Sequence, residues 1–177
     1  MSVTIRAAQA GDWPALWTIL EPIIRSGETY ALNPAMEEAA ARAYWLGADR
    51  ATLVAQDGDG AIFATYYLRA NQPGGGSHVA NCGDMTHPDA RGRGIARAMA
   101  LDSLARAKAH GFTAMQFNFV IASNEAAVAL WTALGFATVG RLPGAFIHPG
   151  LGPVDALVMH RMLDGAIEAA PEMRWKN

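Results

Sequence analysis

The segment Asp84-Met85-Thr86-His87-Pro88-Asp89-Ala90-Arg91-Gly92-Arg93-Gly94-Ile95-Ala96 constrains the fold more than any other part of the chain. It reads as the end of a strand, a tight basic-glycine turn and the start of a helix, which is how a backbone presents free N–H groups to a pyrophosphate. Gly92 and Gly94 can take backbone angles that a side chain would forbid, and they let the main chain approach a ligand closely. Arg91, Arg93 and Arg97 add mobile positive charge at the same spot. The expected ligand is a phosphorylated cofactor. A dinucleotide-binding G-x-G-x-x-G would need glycine where Arg97 stands, and a Walker loop would need a Gly-Lys-Ser/Thr triplet, which does not occur.

What the turn does match is Arg-x-x-Gly-x-Ala, carried by Arg91, Gly94 and Ala96, and downstream come Asn124, Trp131 and the pair Gly135-Phe136. Taken alone, Asn124 is a good helix N-cap ahead of an apolar face at Ala127, Leu130, Trp131 and Leu134, and Gly135 is a good helix terminator. Taken together and in this order, the two segments resemble the acyl-CoA signature of the GNAT superfamily of N-acyltransferases.

Composition sets bounds compatible with that resemblance. The 177 residues suffice for one domain with a full core and are too few for two ordinary ones. A net charge of −2 with sparse charged residues implies no basic face for nucleic acid. Met1-Ser2-Val3-Thr4-Ile5-Arg6 lacks the apolar core of a signal peptide, and no apolar run approaches a membrane span, so a cytoplasmic protein is expected. Cys82 is the single cysteine, which excludes an internal disulfide and a thiolate metal cluster. The five histidines, at 78, 87, 110, 148 and 160, show no close metal-ligand spacing, so no metal is expected.

Hydrophobic periodicity alternates between strand and helix, which favours an α/β architecture. Val3 to Ala7 reads as a strand, and Asp12 starts a helix with a buried stripe at Trp13, Leu16, Trp17, Leu20 and Ile24, bent or ended by Pro22. Asn33-Pro34 opens a second helix to about Leu46. Strands over 51–56 and 61–69 flank the turn Asp57-Gly58-Asp59-Gly60, and Pro73-Gly74-Gly75-Gly76-Ser77 is a mobile link into a strand over 78–86. Ile95, Met99, Leu101 and Leu104 lay the next helix on the sheet until Gly111, and strands follow over 112–120, 136–141 and 154–162. This order is similar to the whole GNAT fold over residues 2–163, read as a single domain. The fold so implied is a mixed, mostly antiparallel central sheet of about seven strands with about four helices, splayed between strands 4 and 5. Residues 164–177 fall outside it as a C-terminal tail, expected to be frayed rather than to dock a homodimer, although a homodimer stays open.

The resemblance also implies a site. Acetyl-CoA would be the acyl donor, with Asp84, Met85 and Thr86 offering backbone groups to its pantetheine arm. Arg91, Gly92, Arg93, Gly94, Ile95, Ala96 and Arg97 would surround the pyrophosphate, and Asn124 would bond a pantetheine amide. A small amine would attack the thioester directly, which requires a proton acceptor, an oxyanion donor and a thiolate leaving group. Two departures stand out: Trp131 occupies the position where many relatives place an acidic tyrosine, and residues 78–83 contain no carboxylate, leaving Asp84 as the only acid nearby.

The two strands offer a pair of amides instead. Asn81 and Asn118 lie in otherwise apolar strands, where an amide is costly unless paired. Asparagines on strands four and five, the Asn118-to-Asn124 spacing, Trp131, and Gly140-Arg141-Leu142-Pro143-Gly144 leading to Val154-Asp155-Ala156 resemble the proline-analogue (azetidine-2-carboxylate) branch of the family. That branch would hold an imino acid between Asn81 and Asn118. Glu28, Thr29 and Tyr30 in the loop between the first helices are further wall candidates, as are Phe146 and His148 in the connection of the last two strands. Cys82 reads as a small buried residue, and His78 and His87 as surface groups. The alternatives are an acetyltransferase for another small amine, such as an amino-acid-like herbicide or a polyamine, and a non-catalytic acyl-CoA-binding protein.

Overall fold

A computed structural model describes residues 3–90 and 92–165. In chain order they form β1 (Thr4–Ala7), α1 (Trp13–Ser26), α2 (Glu38–Trp45), β2 (Arg50–Gln56), β3 (Ile62–Ala70), β4 (Val79–Thr86), α3 (Ile95–Ala109), β5 (Ala114–Ile121), α4 (Glu125–Ala133), β6 (Ala137–His148) and β7 (Gly152–Met162). The strands make one seven-stranded sheet in the order β1-β2-β3-β4-β5-β7-β6. Its neighbours are antiparallel except β4 and β5, which are parallel. This is the mixed sheet with four helices that the resemblance implies. No helix among the described residues is long and apolar enough to cross a membrane.

Because successive strand residues face opposite sides, each central strand feeds two cores. On one face Leu53, Tyr66, Cys82, Met115, Phe117 and Met159 pack with Ile95, Met99, Leu101 and Leu104 of α3 and Trp131 of α4. On the other, Val54, Tyr67 and Met85 pack with Leu16, Ile19, Leu20, Ile23 and Ile24 of α1 and Trp45 of α2. The site lies where these faces meet between β4 and β5.

Four local expectations are corrected. The helix after Asn33-Pro34 begins only at Glu38, because Asn33 commits its side chain to an Asx turn: Ala35 N donates to Asn33 Oδ1 at 2.9 Å. Of the two outcomes expected at Pro22, a bend or an end, the end does not occur: α1 continues to Ser26 on the buried anchors Ile23 and Ile24 and stops at Gly27 with φ 64°. The link at 73–77 winds into a 3-10 turn over Gly74–Gly76. Strand β6 runs through Pro143 and Gly144 to His148, so Phe146 and His148 lie within a strand and not in a connection. A proline is tolerated there because β6 is an edge strand and its register shifts between Leu142 and Phe146. Asp155 secures the shift, accepting from Gly144 N at 2.9 Å and from Arg141 Nη1 at 2.6 Å. The tail beyond residue 165 and Arg91 lie outside the described residues.

One partly buried polar network fastens α3 to the sheet. Tyr66, fully buried on β3, donates to Asp102 Oδ2 at 2.5 Å, and Arg106 Nε donates to the same oxygen at 2.7 Å. Replacing Tyr66 by Phe removes a hydrogen bond to a charged acceptor, and denaturant unfolding should show a loss of about 1.5–3 kcal/mol. An unchanged midpoint would mean that the phenol contributes nothing to docking α3.

Candidate functional site

Strands β4 and β5 pair only where they begin, at Val79 with Ala114 and Ala80 with Met115. At the next position a side chain takes over from the ladder: Asn81 Nδ2 donates to Gln116 O at 2.9 Å. Beyond it the strands part. The register of β5 against β7 shifts between Phe117 and Val120, so Asn118 and Phe119 fall in an irregularity of the strand and are exposed. Such a bulge bends the strand that carries it. The opening leads into a cavity of about 640 Å³ lined by β4, β5, the turn before α3, the first turns of α4 and the loop after α1.

The end of β4 meets the basic-glycine turn. Gly92 and Gly94 have φ of 74° and 73°, the left-handed region where glycine is favoured, and Gly94 is the N-cap of α3. Space around Gly92 is open, since an added Cβ would meet nothing within 4 Å. The first turn of any helix leaves amide groups without intrahelical partners, and Ile95 and Ala96 of that turn line the cavity. Arg93 and Arg97 are exposed beside it. Thr86 Oγ1, at the last position of β4, is buried without a hydrogen-bond partner. An orphaned hydroxyl in the mouth of a cavity, next to unpaired amides, fits a polar ligand arm such as pantetheine pyrophosphate.

Asn124 combines its two readings: it is the N-cap of α4, with Ala127 N donating to Oδ1 at 3.3 Å, and it also lines the cavity. Trp131 is buried in an aromatic stack with Phe117 at 4.5 Å and Phe136 at 5.8 Å, forming a rigid apolar wall. Asn81 and Asn118 both line the cavity. The Asn118 amide donates to Asn71 Oδ1 at 2.6 Å, and its Oδ1 accepts from Gln116 at 2.8 Å, which ties it to the β3–β4 connection. By donor count, each asparagine keeps one further N–H for a ligand.

Asp84 and Met85 line the same cavity, and Asp84 is the carboxylate of this wall. Burial raises the Asp84 pKa to about 6, well above the usual carboxylate range. Tyr30 reaches across from the loop after α1, donating from its hydroxyl to Asp84 O at 2.9 Å. Burial also pushes up the Tyr30 phenol and the Cys82 thiol, so both stay neutral around Asp84. Glu28 lies exposed at the rim. Phe146 does not line the cavity and instead packs edge-on against Phe119, which does, at 6.5 Å.

Among the wall residues that escaped the sequence reading are Tyr44, Tyr67, Arg69 and Gly83. Tyr67 pairs with Gly83 across β3 and β4, and a Cβ at Gly83 would come within 2.6 Å of the Tyr67 ring. The signal was a bare glycine inside a strand, which marks a close approach.

The acetyltransferase (GNAT) family model matches residues 13–136, and the chain belongs to that family. The N-acetyltransferase aca1 of Schizosaccharomyces pombe is 35% identical over 98 residues, which cover 55% of this chain and 47% of that protein. The match thus spans about half the length of this curated relative. Among solved structures, a GCN5-related N-acetyltransferase from Kribbella flavida is 41% identical with a TM-score of 0.87, covering 90% of this chain and 97% of that one. A GNAT superfamily phosphinothricin acetyltransferase from Sinorhizobium meliloti, in complex with AcCoA, is 26% identical with a TM-score of 0.81, covering 97% of this chain and 95% of that one.

A valine at position 94 would force a β-branched residue into φ near 73° at the mouth of the turn. Gly94→Val should therefore abolish the rise in melting temperature that saturating acetyl-CoA gives the parent protein, while the variant still unfolds cooperatively. A folded variant with the parent's shift would remove the turn from the ligand site.

Proposed function

We propose that the protein is an acetyl-CoA-dependent N-acetyltransferase for a small amine or imino acid of the proline-analogue kind. The observation that carries this reading is the splay between β4 and β5. It joins the phosphate-type turn to a cavity walled by Asp84, Asn81, Asn118 and Trp131. The likeness to a phosphinothricin acetyltransferase supports an amino-acid-like acceptor. Acetyl-CoA is a co-substrate here, supplying the acetyl thioester.

In this reading the amides of Gly92 to Arg97 bind the pyrophosphate with the charge of Arg91, Arg93 and Arg97, while Thr86 and Asn124 take polar groups of the pantetheine arm. Backbone groups of Asp84 and Met85 extend that contact along β4. Trp131 excludes water from the thioester side. The free N–H groups of Asn81 and Asn118 orient the acceptor and polarise the carbonyl that the amine attacks. Glu28 and Tyr30 border the acceptor, and Phe146 acts only by supporting Phe119.

Asp84 supplies the base that the strand otherwise lacks. Its carboxylate removes the proton from the attacking nitrogen, and a pKa near 6 leaves it ionised at neutral pH and a better acceptor than an ordinary carboxylate. A thiolate leaves far more readily than an alkoxide or an amide anion, so its exit needs no strong acid, and Trp131 need not replace a tyrosine.

Two outcomes test these roles. Asn81→Ala or Asn118→Ala should lower kcat by about a hundredfold with little change in acetyl-CoA affinity, the scale of a lost oxyanion donor, whereas Trp131→Phe should be much milder. Full activity in both asparagine variants would make them purely structural.

The pH profile tests Asp84. The rate should fall on the acid side with an apparent pKa near 6, and Asp84→Asn should lose that limb together with about a hundredfold in rate. The stability change runs the other way. A carboxyl whose folded pKa is raised from 3.8 to about 6 contributes stability below pH 3.8 that is lost as pH rises through 6. Asp84→Asn should therefore melt higher than the parent at pH 8. A profile identical to that of the parent would exclude Asp84 as the base.

A further inference from the structure

Beyond Asn81, the acceptor end of the cavity is charged in a way that the transfer reaction does not explain. Arg50, Arg69 and Asn81 form one cross-strand row on β2, β3 and β4: Arg50 pairs with Arg69, and Arg69 with Asn81. Both guanidinium groups lean on one carboxylate. Arg50 Nε donates to Asp49 Oδ1 at 2.8 Å, and Arg69 Nη1 donates to Asp49 Oδ2 at 3.2 Å.

Two cations on one anion leave a positive charge, and two of their buried nitrogen atoms are left without a partner. Arg69 Nε and Arg50 Nη1 are buried without a hydrogen-bond partner among the described residues. A buried donor left unmade is costly unless a ligand completes it. Arg50 is not free to swing toward water for that partner. Arg50 is sandwiched between the rings of Tyr44 at 5.0 Å and Tyr67 at 4.7 Å, and its side chain is only 8% exposed. Arg69 lines the cavity, while Arg50 stands behind it.

We infer that the acceptor carries a carboxylate and that Arg69, held in place by Asp49 and the Arg50–tyrosine stack, binds it at the Asn81 end of the cavity. This rests on the acetyltransferase reading and narrows its substrate class. Asn81 and Asp84 are three residues apart, so their side chains leave opposite faces of β4: Asn81 on the α1 side with Arg69 and Tyr67, Asp84 on the α3 side with Tyr66 and Cys82. An α-amino or α-imino acid entering from the α1 side would turn its carboxylate toward Arg69 and its nitrogen into the gap between β4 and β5. A polyamine would place a cation against the arginine row and is disfavoured by the same charge. A planar guanidinium with an available Nε edge is suited to the two oxygens of a carboxylate.

The test uses the full chain with thiol release as readout and matched acceptors: proline, azetidine-2-carboxylate and alanine, each beside its carboxamide. The parent protein should prefer the acids by about thirtyfold or more in kcat/KM, the scale of a lost charge-assisted hydrogen bond. Arg69→Met should raise KM for the acids by about the same factor while leaving KM for acetyl-CoA and the rates with carboxamides within about twofold. Arg69→Lys, which keeps the charge but not the planar edge, should fall between the two. An unchanged acetyl-CoA melting shift in each variant shows that the fold is retained. Carboxamides used as well as acids by the parent, or an unchanged KM for acids in Arg69→Met, would overturn the inference and leave the acetyltransferase reading standing. Thiol release with none of the acceptors, acid or amide, despite a normal acetyl-CoA shift would overturn the acetyltransferase reading itself, and the carboxylate assignment with it.

Discussion

The site depends on one interrupted ladder. Parallel strands β4 and β5 would zip along their whole length if backbone bonding continued beyond Ala80 and Met115. Asn81 stops it by donating from its side chain to Gln116 O, and the irregularity at Asn118 and Phe119 bends β5 away. An open sheet interior exposes polar backbone groups, a cost that ordinary folds avoid. A ligand with amide groups of its own can complete them, which is why a cavity at this seam suits an extended, polar cofactor arm.

The same seam sorts charge along β4. At its far end the turn concentrates backbone N–H groups and arginines. In its middle Asp84 sits in surroundings that make its charged form expensive. At its near end the Arg50–Arg69 pair shares one aspartate. Three environments thus follow one another along β4 and its neighbours, and in the proposed reading they would separate phosphate binding, proton transfer and acceptor recognition. The aromatic walls hold this arrangement still: Trp131 and Phe117 on one side of the sheet, Tyr44, Tyr67 and Trp45 on the other.

Family likeness and physical chemistry converge from different residues. The family match over residues 13–136 ends at Phe136, the last residue of the Gly-Phe pair that closes α4. Residues that depart from the family's common pattern, Trp131 for a tyrosine and Asn81 in a strand without glutamate, are built firmly into their surroundings. Trp131 belongs to a stacked core cluster, and Asn81 holds the seam. Asp84, read in the sequence as a backbone contact and as the only acid nearby, has its carboxyl pKa raised by burial.

The sequence by itself determined what is encoded within a few residues: the glycine turn, the cap at Asn124, the apolar stripes of α1 and α3, and the order of strands and helices. Such features follow from local backbone sterics and from periods of 2 and 3.6 residues, which a single chain displays openly. What only the tertiary structure decided required register between distant segments. The Arg50–Arg69–Asn81 row spans three strands, and the glycine-rich link after β3 hides the pairing that aligns Arg69 with Asn81. The bulge at Asn118, the extension of β6 past Pro143 and the raised pKa of Asp84 likewise depend on neighbours far along the chain. Burial and cross-strand contact are properties of the packed molecule, and no local window of residues specifies them.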